Sequence, residues 1–244
     1  MEENRKLEQT KKVKILHPKQ VIIALDFDSY EEANLITKNL SPEKFRLKIG
    51  KQLYSNEGPK VIEKFNKKGF EIFLDLKLHD IPNTVYKSLI NLFKHKIWMT
   101  NIHLLGGENM IQAAVEAKNE AQCETLLVGV TLLTSLNEND VKKMGFGIGI
   151  SDLVEMLSSQ AKKNNIDGVV CSAKEVSNIK ENLGKDFITV TPGIRINQNK
   201  NDQARVVTLK EAAKTGSNFI VLGREITNSK NIPKMIKKVE SYII

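Results

Sequence analysis

Eight short apolar runs alternate with stretches of helical periodicity, the chain is 244 residues long, and no linker or composition break leaves room for a second domain. These observations predict the α/β class and a single-domain (β/α)8 barrel over residues 20–244, preceded by a polar extension at 1–19. The runs occupy residues 21–25, 45–49, 71–76, 97–102, 125–130, 167–170, 187–190 and 218–222. They are nearly continuously apolar, as parallel strands buried on both faces should be. An open doubly wound sheet satisfies the same alternation, because periodicity does not reveal closure.

Each run is followed by a helical pattern. After the first, Ala33, Ile36 and Leu40 recur on one helical face, and Ser29 with Glu32 reads as a capping box. The other helical stretches fall at about 57–68, 83–94, 107–118, 150–163, 173–182, 208–214 and 230–241. Residues 145–149 (Gly-Phe-Gly-Ile-Gly) follow a helix-like stretch, not a strand, and read as a loop without a dinucleotide fingerprint. The polar segment 195–207 has the length of a lid.

Composition narrows the function classes. No apolar run approaches the roughly 20 residues that span a bilayer, so no membrane association is expected. The first twenty residues lack an apolar h-region, so no secretory signal is expected. Two cysteines, Cys123 and Cys171, are too few for a disulfide framework, and a reducing cytoplasm is the expected location. The net charge of +8 would be a footprint of nucleic acid if it were clustered. Instead residues 1–20 hold six basic and three acidic residues, and the remaining excess is spread along the chain.

In a parallel barrel the chemistry lies at the carboxyl ends of the strands. Those ends carry Asp26, Lys48, Asp75 with Lys77, His79 and Asp80, Asn101 with His103, Thr131 with Thr134 and Ser135, Cys171, Thr191-Pro192-Gly193, and Gly223-Arg224. The densest cluster is Asp75 to Asn83. In extended geometry Asp75, Lys77 and His79 share one side, with Asp80 past the bend made by Ile81-Pro82. A lysine between carboxylates stays an ammonium. Lys48 from the preceding strand extends the cluster into alternating charges, an array suited to holding a proton donor where negative charge develops. The same residues would also form a surface ion-pair network of modest energy. Pro192-Gly193-Ile194-Arg195 and Gly223-Arg224 follow the seventh and eighth runs, where barrels bind phosphate through backbone N–H groups and arginine. Gln203 lies in the polar segment that would fold over such a ligand. His103 reads as a structural histidine and Cys171 as a buried thiol. No HExxH or clustered His/Cys spacing points to zinc.

The run from Phe73 to Thr84 (Phe-Leu-Asp-Leu-Lys-Leu-His-Asp-Ile-Pro-Asn-Thr) resembles the signature of the orotidine 5′-phosphate decarboxylase family. The likeness continues through Ala24–Asp26, Leu47–Gly50, Asn101–His103, Leu133–Ser135, Val170–Ser172, Thr191–Arg195, Asp202-Gln203 and Leu222–Thr227, in order, over about residues 20–228. It implies a homodimeric TIM barrel that converts orotidine 5′-monophosphate to UMP and CO2 in pyrimidine biosynthesis, with no metal and no organic cofactor. By match, Lys77 is the proton donor to C6 of the pyrimidine. Asp75 lies near the departing carboxylate, and Lys48 joins the charge network. Asp80 enters the neighbouring subunit's site, with Thr84 in the same segment. Asp26 and Lys48 contact the ribose, Thr134, Ser135 and Pro192 lie near the base, and Arg195, Gln203, Gly223 and Arg224 hold the phosphate.

Two positions depart from the family pattern: Leu104, where a small residue is usual, and Leu209, where proline is frequent. Related barrels share an Asp-x-Lys-x-x-Asp motif but use Mg2+ on sugar phosphates. Ile81-Pro82-Asn83-Thr84 and the Thr-Pro-Gly-Ile-Arg segment argue against that alternative, and the intact charge set argues against a catalytically dead binding module.

Overall fold

A computed structural model describes residues 15–196 and 207–244. Its strands are β1 (Val21–Ala24), β2 (Phe45–Gly50), β3 (Ile72–Leu78), β4 (Met99–His103), β5 (Leu126–Val130), β6 (Gly168–Val170), β7 (Ile188–Thr191), β8 (Ile194–Arg195), β9 (Val207–Thr208) and β10 (Phe219–Leu222). Eight of them are parallel and closed in the order β1-β10-β7-β6-β5-β4-β3-β2. Pairing of Val21 with Ile220 and of Ile22 with Val221 joins the first strand to the last and excludes the open sheet. The chain is a TIM barrel with its helices between successive strands.

The apolar runs divide their side chains between two layers. Ile22, Ala24, Phe73, Met99, Val128, Val130, Val170, Val190 and Val221 fill the inside of the barrel. Their alternating neighbours, such as Ile23, Leu47 and Leu74, pack outward under helices. Ala33, Ile36 and Leu40 are buried as their spacing requires. Ser29 makes its half of the expected cap, accepting the Glu32 N–H at 3.3 Å. Complete capping boxes occur at Asn137/Asp140 and Thr208/Glu211. Short helices at Lys51–Glu57 and Arg224–Thr227, and the two-stranded ribbon of β8 and β9, are not legible in the sequence because each is too short to show a period.

The amino end of the barrel is closed by one arginine. Arg46 Nε donates to Glu71 Oε2 at 2.6 Å, and Lys19 Nζ pairs with the other carboxylate oxygen at 2.9 Å. The guanidinium lies 3.8 Å from the Trp98 ring centroid, and Trp98 meets Phe219 edge-on at 4.9 Å. This cation–π and ion-pair stack ties together the segments entering β1, β2, β3, β4 and β10. Leu16, within the polar extension, is fully buried and bridges to Ile243 in parallel. Chain from Ile15 onward therefore packs on the barrel, while the residues before it lie outside the described ones.

The unusual Leu104 has a compensating partner. It is 1% exposed, and a Cβ on Gly129 would overlap its side chain. The bulk missing from β5 is supplied by the residue after β4. Leu209 is likewise buried, opening the helix Leu209–Lys214 behind the Thr208 cap.

A tighter constraint holds at Gly168 in β6, where an added Cβ would overlap the Ile188 backbone carbonyl of β7. Gly168→Ala is expected to destabilise the fold by about 3 kcal/mol through overpacking against backbone that does not move aside. The melting temperature should fall by roughly 5–10 °C, measured by thermal unfolding against wild type.

Candidate active site

Four barrel strands together deliver the five residues of a charge relay toward their carboxyl ends, β3 supplying two of them. Lys48, at the end of β2, donates from Nζ to Asp26 Oδ1 at 2.9 Å and sits 3.4 Å from Asp75 Oδ2. Lys77, on β3, donates from Nζ to Asp75 Oδ1 at 2.7 Å. From β4, Asn101 Nδ2 donates to the same oxygen at 2.7 Å. Asp75 is 8% exposed and Lys48 9%. Space for Lys48 comes from Gly50, where a Cβ would lie 3.0 Å from Nζ.

Burial is the largest influence on both charges and opposes ionisation. For Lys48 it is outweighed by Asp75 and Asp26, so the pKa is raised overall. For Asp75 it is outweighed by Lys48 and Lys77, with hydrogen bonds from Lys77 and Asn101, so the carboxyl sits below its ordinary value. Buried ions are tolerable only when paired and fully hydrogen-bonded. Among the described residues no buried side-chain nitrogen or oxygen lacks a partner.

Simple strand alternation does not continue through this cluster. Lys77 has φ +48°, in the left-handed region, and the β3–β4 register slips between Leu74 and Leu78. The bulge keeps Lys77 against Asp75 but turns His79 away. His79 is exposed and stacks on His103 with ring centroids 5.3 Å apart. The expectation that Asp75, Lys77 and His79 share one side thus holds only for the first two. His103 is structural, its Nδ1 accepting the Leu105 N–H at 3.4 Å.

The relay opens into a cavity of about 290 Å3 whose floor is Ala24, Phe73, Val130, Val170 and Val221. Asp26, Lys48, Asp75, Lys77, Thr134, Pro192, Arg195, Gly223 and Arg224 all line it. β3 and β7 are four strands apart in the ring of eight, so Lys77 and the Pro192–Arg195 segment face each other across it. Gly193 has φ +77°, a conformation that favours glycine. Ser135 is exposed and does not line the cavity. Asp80 and Thr84 are exposed and do not line it, Asp80 Oδ1 accepting the Ile81 N–H at 2.7 Å. Gln203 lies outside the described residues.

Two further residues belong to the site without announcing themselves in the sequence. Asn101 sits mid-strand in β4, within two residues of its carboxyl end, where polar residues are common and the type alone assigns no role. Glu225 lines the cavity and accepts the Ile196 N–H at 2.7 Å, tying the turn after β10 to the chain after β8. A carboxylate next to an expected phosphate site gives no signal in sequence of its bond to the Ile196 N–H, because any residue supplies a backbone donor. Cys171 is wholly buried, and burial pushes its thiol pKa well up, as an inert core residue requires.

A family model described as orotidine 5′-phosphate decarboxylase / HUMPS matches residues 19–239. The chain belongs to this family. It is 43% identical over 221 residues to the orotidine 5′-phosphate decarboxylase of Saccharophagus degradans, covering 90% of this chain and 93% of that one. With the Wigglesworthia glossinidia brevipalpis protein of the same name it shares 44% identity over 224 residues, 91% and 97% of the two chains. The crystal structure of orotidine 5′-phosphate decarboxylase from Lactobacillus acidophilus superposes with TM-score 0.80 at 36% identity, over 92% of this chain and 99% of that one.

The family barrel should show two acid-sensitive windows. Burial, reinforced by His79 and Lys77, lowers the His103 pKa from 6.5 to about 4. The unfolded chain therefore binds more protons between those values, and stability falls as pH drops through that window. His103→Gln should flatten the dependence of unfolding free energy on pH between 6.5 and 4, measured by urea titration. The lowered Asp75 carboxyl contributes stability above its ordinary 3.8 that disappears at lower pH, so a further loss should remain in that variant.

Proposed function

We propose that the chain decarboxylates orotidine 5′-monophosphate to UMP and CO2, with Lys77 protonating C6. The observation that carries this reading is the Lys77 ammonium held 2.7 Å from the buried Asp75 carboxylate at the edge of the cavity, across the ring from Arg195. Membership of the family and consistently named relatives support the substrate. A dianionic phosphate would meet Arg195 and Arg224, Asp26 and Lys48 would take the ribose, and Thr134 and Pro192 would border the base. Gln203 and Ser135 complete the proposed set.

The chemistry follows from the charges. The bond from C6 to the carboxylate breaks, CO2 leaves, and the electron pair stays on C6. A preorganised ammonium beside that carbon stabilises the developing negative charge and then supplies the proton. The neutral Lys77 amine regains a proton from solvent. Phosphate binding, remote from C6, supplies energy to assemble the site. Both Asp75 oxygens are already engaged by lysines, which leaves that carboxylate poorly disposed to a divalent cation.

Asp80 and Thr84 would act in the site of a second copy of the chain. Their exposure supports this, as does Ile81 between them, an apolar side chain 65% exposed. Among the described residues no helix is long and apolar enough to cross a membrane. A homodimer working in the cytoplasm, without nucleic acid as partner, fits these features.

In EDTA, wild type should deplete orotidine 5′-monophosphate absorbance at full rate, and Lys77→Ala should lose ~10³-fold or more. Near-normal turnover by Lys77→Ala would sink the mechanism. Loss of wild-type activity on metal removal would favour a Mg2+-dependent sugar-phosphate reaction instead. Mixing inactive Asp80→Ala and Lys77→Ala proteins should restore about a quarter of wild-type activity if two copies share their sites at random. Absence of any recovery after verified subunit exchange would show that they do not.

A further inference from the structure

We infer that Asn101 is a positioning residue for the proposed decarboxylation, holding the Lys77 backbone and the Asp75 carboxylate in one fixed relation; the inference rests on the reading above. Between the paired positions Leu74–Thr100 and Leu78–Ile102, β3 carries three residues and β4 only one, Asn101. The surplus makes the bulge and deprives Lys77 of a backbone ladder partner. Asn101 supplies the replacement, its Oδ1 accepting the Lys77 N–H at 2.7 Å. Its Nδ2 donates to Asp75 Oδ1 at 2.7 Å, the oxygen that also receives Lys77 Nζ. Lys77 is thus held at both ends through one short ring, with its backbone at φ +48°.

Asparagine is specified by this ring. One partner is a donor and the other an anionic acceptor, so the position needs an acceptor and a donor on one planar group. Aspartate would set a second anion against Asp75 and lose the donor. Leucine, similar in size, would leave the Lys77 N–H without its acceptor and strip Asp75 Oδ1 of one of its two donors. Asn101 is fully buried and does not line the cavity, so it acts only through Asp75 and Lys77. A left-handed lysine is costly. Without the ring, the ammonium would lose its fixed approach to the reacting carbon.

The test compares wild type, Asn101→Ser and Asn101→Asp in steady-state decarboxylation across pH. Both variants should lose about 10–100-fold in kcat with KM within about 3-fold, as for supporting groups behind a reactive one. In Asn101→Ser the acid limb of the kcat profile should also move to higher pH, because Asp75 has lost a donor. Unchanged kcat, or a loss without movement of that limb, overturns the inference. Should neither variant fold, amide exchange in the wild type decides. A protected Lys77 amide supports the ring, and exchange at the rate of exposed loops overturns it. Wild type without turnover overturns the proposed function itself, whereas active wild type with unaffected Asn101 variants removes only this inference.

Discussion

The Asp75 carboxylate receives two ammonium groups and an amide in a place where water barely reaches it, and the carboxyl face of the barrel is arranged around that fact. A buried carboxylate deprived of one partner costs about 3–5 kcal/mol, so each of its neighbours is held by a different strand and none is spare. β1 brings Asp26 to anchor Lys48, β2 brings Lys48, β3 brings both Asp75 and Lys77, and β4 brings Asn101. The charges alternate and sum to zero over Asp26, Lys48, Asp75 and Lys77. The protein thereby keeps a concentrated field at one spot without a net charge to solvate. A substrate that adds negative charge near Lys77 enters a site whose dipoles are already set.

The two ends of the barrel divide the work. At the amino end, Arg46 fills the opening with a guanidinium between Glu71, Trp98 and Phe219. Its contacts join segments that enter five strands. At the carboxyl end the apolar filling stops at Ala24, Phe73, Val130, Val170 and Val221, and polar groups begin one to three residues later. The same strand thus contributes a stabilising residue below and a cavity-lining charge above, as in β2 with Arg46 and Lys48.

Much of this is legible in the sequence, for identifiable reasons. Strands buried on both faces appear as unbroken apolar runs, and all eight runs coincide with barrel strands to within a few residues at their ends. Polar residues at those ends stand out against that background, which is why Lys48, Asp75 and Lys77 are recognisable from sequence alone. The bulge is not legible. Strict alternation would carry Asp75, Lys77 and His79 to one face, and only the mismatch with β4 shows otherwise. Asn101 gives no sign of its role because its partners are a backbone N–H and an oxygen that lysine also engages. Leu16 is hard to read because Val13, Ile15 and Leu16 make too short an apolar group among lysines to show a period. Asp80 and Thr84 match a motif, yet in a single chain they stand exposed and outside the cavity lining, so the barrel alone assigns them no contact there.

The Leu104–Gly129 contact has a wider consequence. The two positions share one volume, although they belong to different strand regions. A side chain at 129 is admissible only once 104 has shrunk, and shrinking 104 alone would open a void. Sequence drift at this spot must proceed by correlated replacement, so a substitution harmless in one relative would be damaging here. Residue 104 is thus legible only as half of a pair whose other half is the missing side chain at 129.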